Sequence, residues 1–394
     1  MKNNFPSWPY YAKDEISAVQ EVLKSGDVNY WTGHITKSFE KEYAELCCSK
    51  YAIALANGSL ALSCAYLAIG IKKGDEVITT PRSFVATASS AALLGGIPVF
   101  AEVDRDSGNI TVASIQPLIT KKTKAIVVVH LAGWPADVIE ISKLAKSHGI
   151  ALIEDCSQAH GAGLIIKNKK FPVGQYGDIS TWSFCQDKII STGGEGGMIT
   201  TNNREYYQKI WSYKDHGKSF TKLKEKTNKI GYRYIHDNLG SNFRLTEMQS
   251  AIGRLQIKKL DLWTEKRKGN ALLLQNYLSP CSLIRIPLPS KKVIHAWYKF
   301  NCFINKEFLK DNWNRDKIIQ AIIEKGYPAF QGSCSELYLE KCFQKQVKKP
   351  INNLKISKEL GDTNLTFLVH PTINKKVMSN YALNILEVLN LACK

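Results

Sequence analysis

KAIVVVHLAGWPADVIEISKLAKSHGIALIED, residues 124–155, is the stretch whose reading decides the fold. It opens on an apolar, β-branched run, KAIVVVH (124–130), and closes on another, IALIED (150–155). Between them, PADVIEISKLAKSHG (135–149) is amphipathic at helical spacing, with Val138, Ile141, Leu144 and Ala145 on one face. The same alternation extends outward in both directions. Upstream lie the strand candidates YAIALA (51–56), EVITT (76–80) and IPVFAEV (97–103), separated by the helix-like stretches LALSCAYLAIG (60–70) and FVATASSAALLG (84–95). SIQPLIT (114–120) precedes the central unit, and DISTWSF (178–184) and GMITT (197–201) follow it. Strands and helices alternating at this spacing predict an α/β fold, with a mostly parallel seven-stranded sheet between helices.

The alternation fades after about residue 215. KDHGKSFTKLKEKTNKIGYR (214–233) reads as a Lys-rich loop or flap, and 245–278 as one long helical segment. IRIPLPSKK (284–292) marks a boundary region. A chain of 394 residues exceeds the roughly 250–300 at which a single core stops growing. The expected division is a large domain over 15–250, then a linking helix and a smaller C-terminal α/β domain over 251–394. Residues 1–14 are expected to pack on the small domain.

Hydrophobic residues make up 44% and charged residues 22%, which excludes a disordered, collagen-like or coiled-coil chain. No apolar run approaches the roughly 20 residues of a bilayer helix. The N-terminal MKNNFPSWPYY has no apolar stretch of the secretory kind, so a cytoplasmic location is expected. Ten cysteines are scattered without a CxxC pair or zinc-type spacing, so they are read as reduced, mostly buried thiols and no metal site is expected. Lys plus Arg number 53 against 35 acidic residues, a formal charge of +18. That excess attracts nucleic acid, a membrane surface or an anionic small substrate. Only nine of the 53 are Arg, which weakens the nucleic-acid reading, because base and phosphate recognition favours Arg forks. The Lys-rich stretch has too few apolar anchors for a membrane-surface helix.

In open α/β sheets, ligands sit outside the carboxyl ends of the strands. Asn57, Gly58 and Ser59 follow the first strand and open a helix, whose free N–H groups suit a phosphate. The Ser59 hydroxyl either adds a donor or simply caps the helix. His130 ends the fourth strand. Glu154 and Asp155 end the fifth, pointing to opposite faces by strand alternation. A carboxylate buried there needs a cationic partner or a metal, unless it merely caps a loop. Gln158 and His160 follow at loop spacing. Lys188 lies four residues past Phe184, before the glycine-rich STGGEGG (191–197). A lysine so placed can be partly desolvated and act as a nucleophile toward an aldehyde.

A phosphate cradle, a strand-end Asp and a following Lys, in that order, are the parts of a pyridoxal phosphate (PLP) site. Here the chain resembles the DegT/DnrJ/EryC1/StrS sugar aminotransferases, PLP enzymes of fold type I. The resemblance rests on ANGSLAL, TPRSFVATASS, PVFAEVD, VHLAGWPAD, IEDCSQAHGA, GDISTWSFCQDK, GGEGGMITTN, YKDHGKS, SNFRLTEMQSAIG and FLVHPT. It implies that Lys188 forms the Schiff base with the cofactor and shuttles the proton, and that Asp155 pairs with the pyridine nitrogen. It further implies that Gln158 contacts the 3-oxygen, that Phe84 stacks on the ring, and that Gly58, Ser59 and Ser183 hold the phosphate. Asn242 would reach the phosphate of a neighbouring subunit's cofactor, so that a homodimer shares its sites. His130, His160, Lys214 and His370 are the candidates for the substrate side.

The implied reaction moves an amino group from an amino acid, with glutamate expected, to a keto group on a nucleotide-linked deoxy sugar in lipopolysaccharide, O-antigen or related glycan synthesis. Many members carry Pro or Thr before the lysine, where this chain has Gln186-Asp187. Related PLP dehydratases replace the lysine with histidine, so Lys188 favours transamination over deoxygenation. Lys214, Lys218 and the lysines of 222–229 are expected to flank a nucleotide entrance.

Overall fold

The computed structural model describes residues 5–223, 234–343 and 354–394. Two helices, α1 (Lys13–Ser25) and α2 (Ile35–Leu46), lead into β1 (Tyr51–Leu55), α3 (Gly58–Ile69), β2 (Glu76–Thr79), α4 (Ala86–Leu93) and β3 (Ile97–Phe100). The chain continues through α5 (Val112–Ile115), β4 (Thr123–Val129), α6 (Val138–Ser147) and β5 (Ala151–Asp155). A hairpin, β6 (Gly163–Ile166) and β7 (Lys169–Pro172), precedes β8 (Ile179–Ser183), β9 (Gly197–Thr201) and α7 (Arg204–Lys214).

All seven expected strands enter one sheet, in the order β1-β9-β8-β5-β4-β2-β3. It is parallel except for β9, which runs antiparallel to both β8 and β1. β2, β8 and β9 are buried throughout and the other strands nearly so, the signature of a sheet covered on both faces. Each fully buried Val, Ile or Leu in such a layer contributes about 1.5–3 kcal/mol. Parallel strands at the centre bring the carboxyl ends of β1, β4, β5 and β8 to one edge of the sheet, which positions the site.

The hairpin β6–β7 was not anticipated. Its sequence, GLIIKNKKFP, turns on Lys167 and Asn168 in left-handed conformation, and both lysines of KKFP are exposed. It pairs with β11 (Val293–Ile294) in a separate small sheet. The expected long helix is α8 (Glu247–Leu278), 32 residues capped by Thr246 and Gln249 in a reciprocal box. Its first half packs on α1 and α2, and its last turns enter a second core. There β10 (Ile284–Arg285), β12 (Phe300–Ile304) and β13 (Asn364–Phe367) form an antiparallel sheet packed with α9 (Arg315–Glu324), α10 (Lys355–Thr363) and α11 (Lys375–Ala392). Leu274, Phe300, Phe367 and Tyr381 are buried in that core. Phe5 meets the rings of Tyr327, His370 and Tyr381 edge-on, so the N-terminal segment lies against it. All ten cysteines are free thiols; Cys64 and Cys302 are buried, while Cys48, Cys334 and Cys342 are exposed. No helix among the described residues is long and apolar enough to cross a membrane.

Candidate active site

Helix α3 begins where β1 ends. Asn57, not Ser59, is its N-cap: the Asn57 side chain accepts from Leu60 N at 2.9 Å. The Ser59 hydroxyl is therefore uncommitted and exposed. Ala61 N bonds to Asn57 O, and among the described residues no acceptor takes the N–H groups of Gly58 and Ser59. A Cβ on Gly58 would stand 2.7 Å from the Ser183 Cβ, so only glycine lets the two backbones meet. The result is a dipole-assisted pair of free N–H groups with the Ser59 and Ser183 hydroxyls beside them, the donor set of a phosphate cradle.

Asp155, at the end of β5, is 4% exposed. Thr87 Oγ1 donates to its Oδ2 at 2.8 Å and Ser157 N to its Oδ1 at 3.1 Å, with no cation paired to it among the described residues. A buried carboxylate held by neutral donors is a costly arrangement that a protonated ring nitrogen would complete. Glu154 faces the other way, as alternation requires. It accepts from His130 Nε2 at 3.0 Å, from Gly174 N and Tyr176 N at 2.8 Å and from Gly177 N at 2.6 Å. Burial pushes its carboxyl up, but the His130 hydrogen bond and the backbone donors hold it below its usual value.

Lys188 Nζ lies 3.3 Å from Asp187 Oδ1 and 3.4 Å from Tyr298 Oη, and the Tyr298 hydroxyl donates to the other Asp187 oxygen. Together with Phe84, Gln158, Tyr298, Lys299 and His370, it lines a cavity of about 870 Å³ between the large domain and the second core. Phe84 is 68% exposed, an aromatic face open to a ligand. Gln158 Oε1 accepts from Ala132 N at 2.7 Å, which leaves the amide N–H₂ free. His370 Nδ1 is 2.8 Å from Thr372 Oγ1 and its ring stacks on Trp8.

The structure does not bring the other three substrate candidates to this cavity. His130 is fully buried, with Nε2 on Glu154 and Nδ1 accepting from Ala136 N at 3.0 Å. His160 donates from Nε2 to Ser183 O at 2.9 Å and accepts from Tyr43 at Nδ1, and burial lowers its pKa to about 4, so it is a neutral strut under Ser183. Lys214 is fully buried, 3.8 Å from Glu40 and over the Tyr30 ring at 3.5 Å, so it cannot flank a nucleotide entrance. Lys218 sits on Asp215 at 3.0 Å and Lys222 on Asp237; Lys224, Lys226 and Lys229 lie outside the described residues. Asn242 is exposed, off the cavity lining, in a segment that passes the end of β1 through the bond from Ala56 N to Phe243 O.

Sequence reasoning missed Thr87, Trp8, Arg267, Tyr298 and Lys299. Thr87 sits one turn past Phe84, a spacing that could have paired them. The indole N–H of Trp8 donates to Lys188 O at 2.8 Å across 180 residues, a contact with no local signal.

The profile of the DegT/DnrJ/EryC1/StrS aminotransferase family matches residues 9–382. The chain is 36% identical over 290 residues to GDP-perosamine synthase from Escherichia coli O157:H7, covering 74% of this chain and 75% of that one. It is 45% identical to the solved aminotransferase from Psychrobacter cryohalolentis, with a TM-score of 0.94 over 98% of this chain and 99% of the other. It is 25% identical to the E. coli GDP-4-keto-6-deoxy-D-mannose-3-dehydratase solved with hydrated PLP, with a TM-score of 0.87 over 98% and 99% of the two chains.

Proposed function

We propose the reaction from one premise: the chain belongs to the DegT/DnrJ/EryC1/StrS aminotransferase family. Its cofactor is pyridoxal phosphate, and its activity is transfer of an amino group from an amino acid to the keto group of a nucleotide-linked sugar. The observation that carries this reading is the unpaired buried carboxylate of Asp155, set on the same edge of the sheet as two free helix N–H groups and Lys188. The donor set fits the cofactor. Gly58, Ser59 and Ser183 would hold its phosphate, Asp155 its ring nitrogen, Gln158 its 3-oxygen and Phe84 its ring face, with Lys188 as its covalent anchor. When bound, PLP supplies an electron sink for the carbon that gives or receives the amino group.

The chain's own residues do the rest. Asp155, fixed by Thr87 and Ser157, keeps a proton on the ring nitrogen. Lys188 takes the proton from the donor carbon and returns one to the acceptor carbon, and Asp187 and Tyr298 hold its amine between steps. Glutamate is the proposed donor and a diphosphate-linked keto sugar the acceptor, with the product entering a surface glycan. Two relatives named for GDP-sugars support a nucleotide-linked substrate. The dehydratase among the neighbours marks the second reading, which Lys188 at the nucleophile's place argues against. Working as a homodimer, with Asn242 reaching the partner's cofactor, is also part of the proposal. Leu93, Tyr234 and Leu239 are 82–94% exposed, apolar surface that a second copy would cover. The ten free thiols suit the reducing cytoplasm proposed for it.

The test is optical, then chemical. Purified protein should be yellow, lose that absorbance on borohydride reduction and carry the label on Lys188. Glutamate with a panel of nucleotide 3-keto and 4-keto sugars should then give an amino sugar by mass. A colourless protein that gains nothing from added PLP sinks the reading, and a product that has lost oxygen without gaining nitrogen establishes the dehydratase.

A further inference from the structure

Arg267, on α8, is 1% exposed, yet it lines the cavity that holds Lys188. Its Nη1 leans on two backbone carbonyls, Tyr298 O at 3.3 Å and Trp297 O at 3.5 Å. Its Nε and Nη2 have no partner, and no carboxylate pairs with it among the described residues. The Trp8 ring lies 5.0 Å from its Cζ, and the same indole donates to Lys188 O, so one aromatic ring bridges the guanidinium and the main chain of the lysine. The two acids in the cavity lining are engaged elsewhere: Asp187 by Lys188 and Tyr298, Glu340 by Cys334. Lys299 adds a second cation to this corner, partly offset by Asp187, while His370 stands beside it as a neutral ring. Burial first, then the charge of Arg267 among others, lowers Lys299 to about 8 and His370 to about 3.

A buried guanidinium without a counter-ion is costly, and its two orphaned N–H groups form the fork that matches a carboxylate. We infer that Arg267 is the receptor for the α-carboxylate of the amino-acid donor. This rests on the aminotransferase reading, because the carboxylate in question is bonded to the carbon whose proton Lys188 must reach. One cavity then serves both chemistries. Arg267 orients the small donor, while the remaining volume takes the sugar, which carries no carboxylate at that position.

The experiment compares full-length PLP-loaded wild type with Arg267→Gln and Arg267→Lys, each checked by thermal melting. The donor half-reaction is followed by absorbance, against glutamate and against sec-butylamine, an amine without a carboxylate. In parallel, 2-oxoglutarate binding to the cofactor-free proteins is measured by calorimetry. Arg267→Gln should raise the KM for glutamate on the order of 10²-fold, the loss expected when one partner of a buried charge pair is removed. It should leave the sec-butylamine rate and the KM for the nucleotide sugar within threefold, and abolish 2-oxoglutarate binding. Arg267→Lys, which keeps the charge but not the fork, should raise the glutamate KM at least tenfold, and it decides the matter if the Gln variant does not fold. A folded variant with wild-type glutamate KM and wild-type 2-oxoglutarate affinity overturns the assignment. A wild type that takes an amino group from no amino acid overturns the aminotransferase reading instead, and calorimetry alone then decides whether Arg267 binds a carboxylate.

Discussion

Replacing Glu154 with Gln should cost about 3–6 kcal/mol of folding stability near neutral pH while leaving substrate contacts untouched. The magnitude follows from the four donors that converge on the carboxylate: His130 and Gly174 on one oxygen, Tyr176 and Gly177 on the other. An amide offers one acceptor oxygen and turns an N–H₂ toward the other pair of donors, so two charge-assisted bonds are lost. Each is worth about 1.5–3 kcal/mol, so the two together come to about 3–6 kcal/mol. Against a typical total of about 5–15 kcal/mol, that is a large share.

The pH dependence gives a second handle. Glu154 is held below its usual 4.5 in the fold, so its contribution is present above that value and is lost as pH falls through the folded one. Urea unfolding of wild type and Glu154→Gln from pH 7 to pH 3 should therefore show curves that converge in acid. A loss under about 1 kcal/mol at pH 7, or a gap that persists unchanged to pH 3, refutes the pairing. A higher KM for the sugar with unchanged stability would return His130 to the substrate side.

Three further outcomes follow from the same geometry. Thr87→Val, which removes the buried donor to Asp155, should weaken PLP affinity by about 1.5–3 kcal/mol in a fluorescence titration, and Thr87→Ser should recover most of it. Lys214→Met should leave both the KM for the nucleotide sugar and its salt dependence as in wild type, because the side chain is sealed under Tyr30. On the proposed homodimer, Asn242→Ala should release PLP faster during dialysis while leaving the mass seen by sedimentation as in wild type.

The strands of the main sheet were legible because a strand buried on both faces must be apolar nearly end to end, as AIVVV of β4 is. Asp155 and Lys188 were legible because a polar residue ending such a run is conspicuous. The β6–β7 hairpin was not, since its alternation is diluted by lysines and one glycine. His130 misled for a related reason: a strand-end histidine looks the same in sequence whichever way its ring turns, and here the ring turns to Glu154. Lys214 carried the charge of a surface lysine, and only tertiary packing reveals the Tyr30 ring above it. Arg267, Tyr298 and Trp8 lie in segments far apart in sequence that meet only at the cavity. The one hint for Arg267 was rarity, an arginine in a chain that uses lysine for 44 of its 53 basic residues.

The place of β1 in the sheet has a consequence during synthesis. It is an edge strand whose sheet partner is β9, about 140 residues downstream. At roughly 5–20 residues per second, the AIAL run spends on the order of 7–30 s on the ribosome without its neighbour. The nascent large domain is thus an open-edged intermediate with a sticky strand, a natural client for a chaperone. The turn at Gly58 cannot take up its close approach to Ser183 until β8 and β9 have been added. Acquisition of the cofactor is accordingly a late event in the life of the chain, and a ribosome stalled before residue 197 would hold a protein with no place to put it.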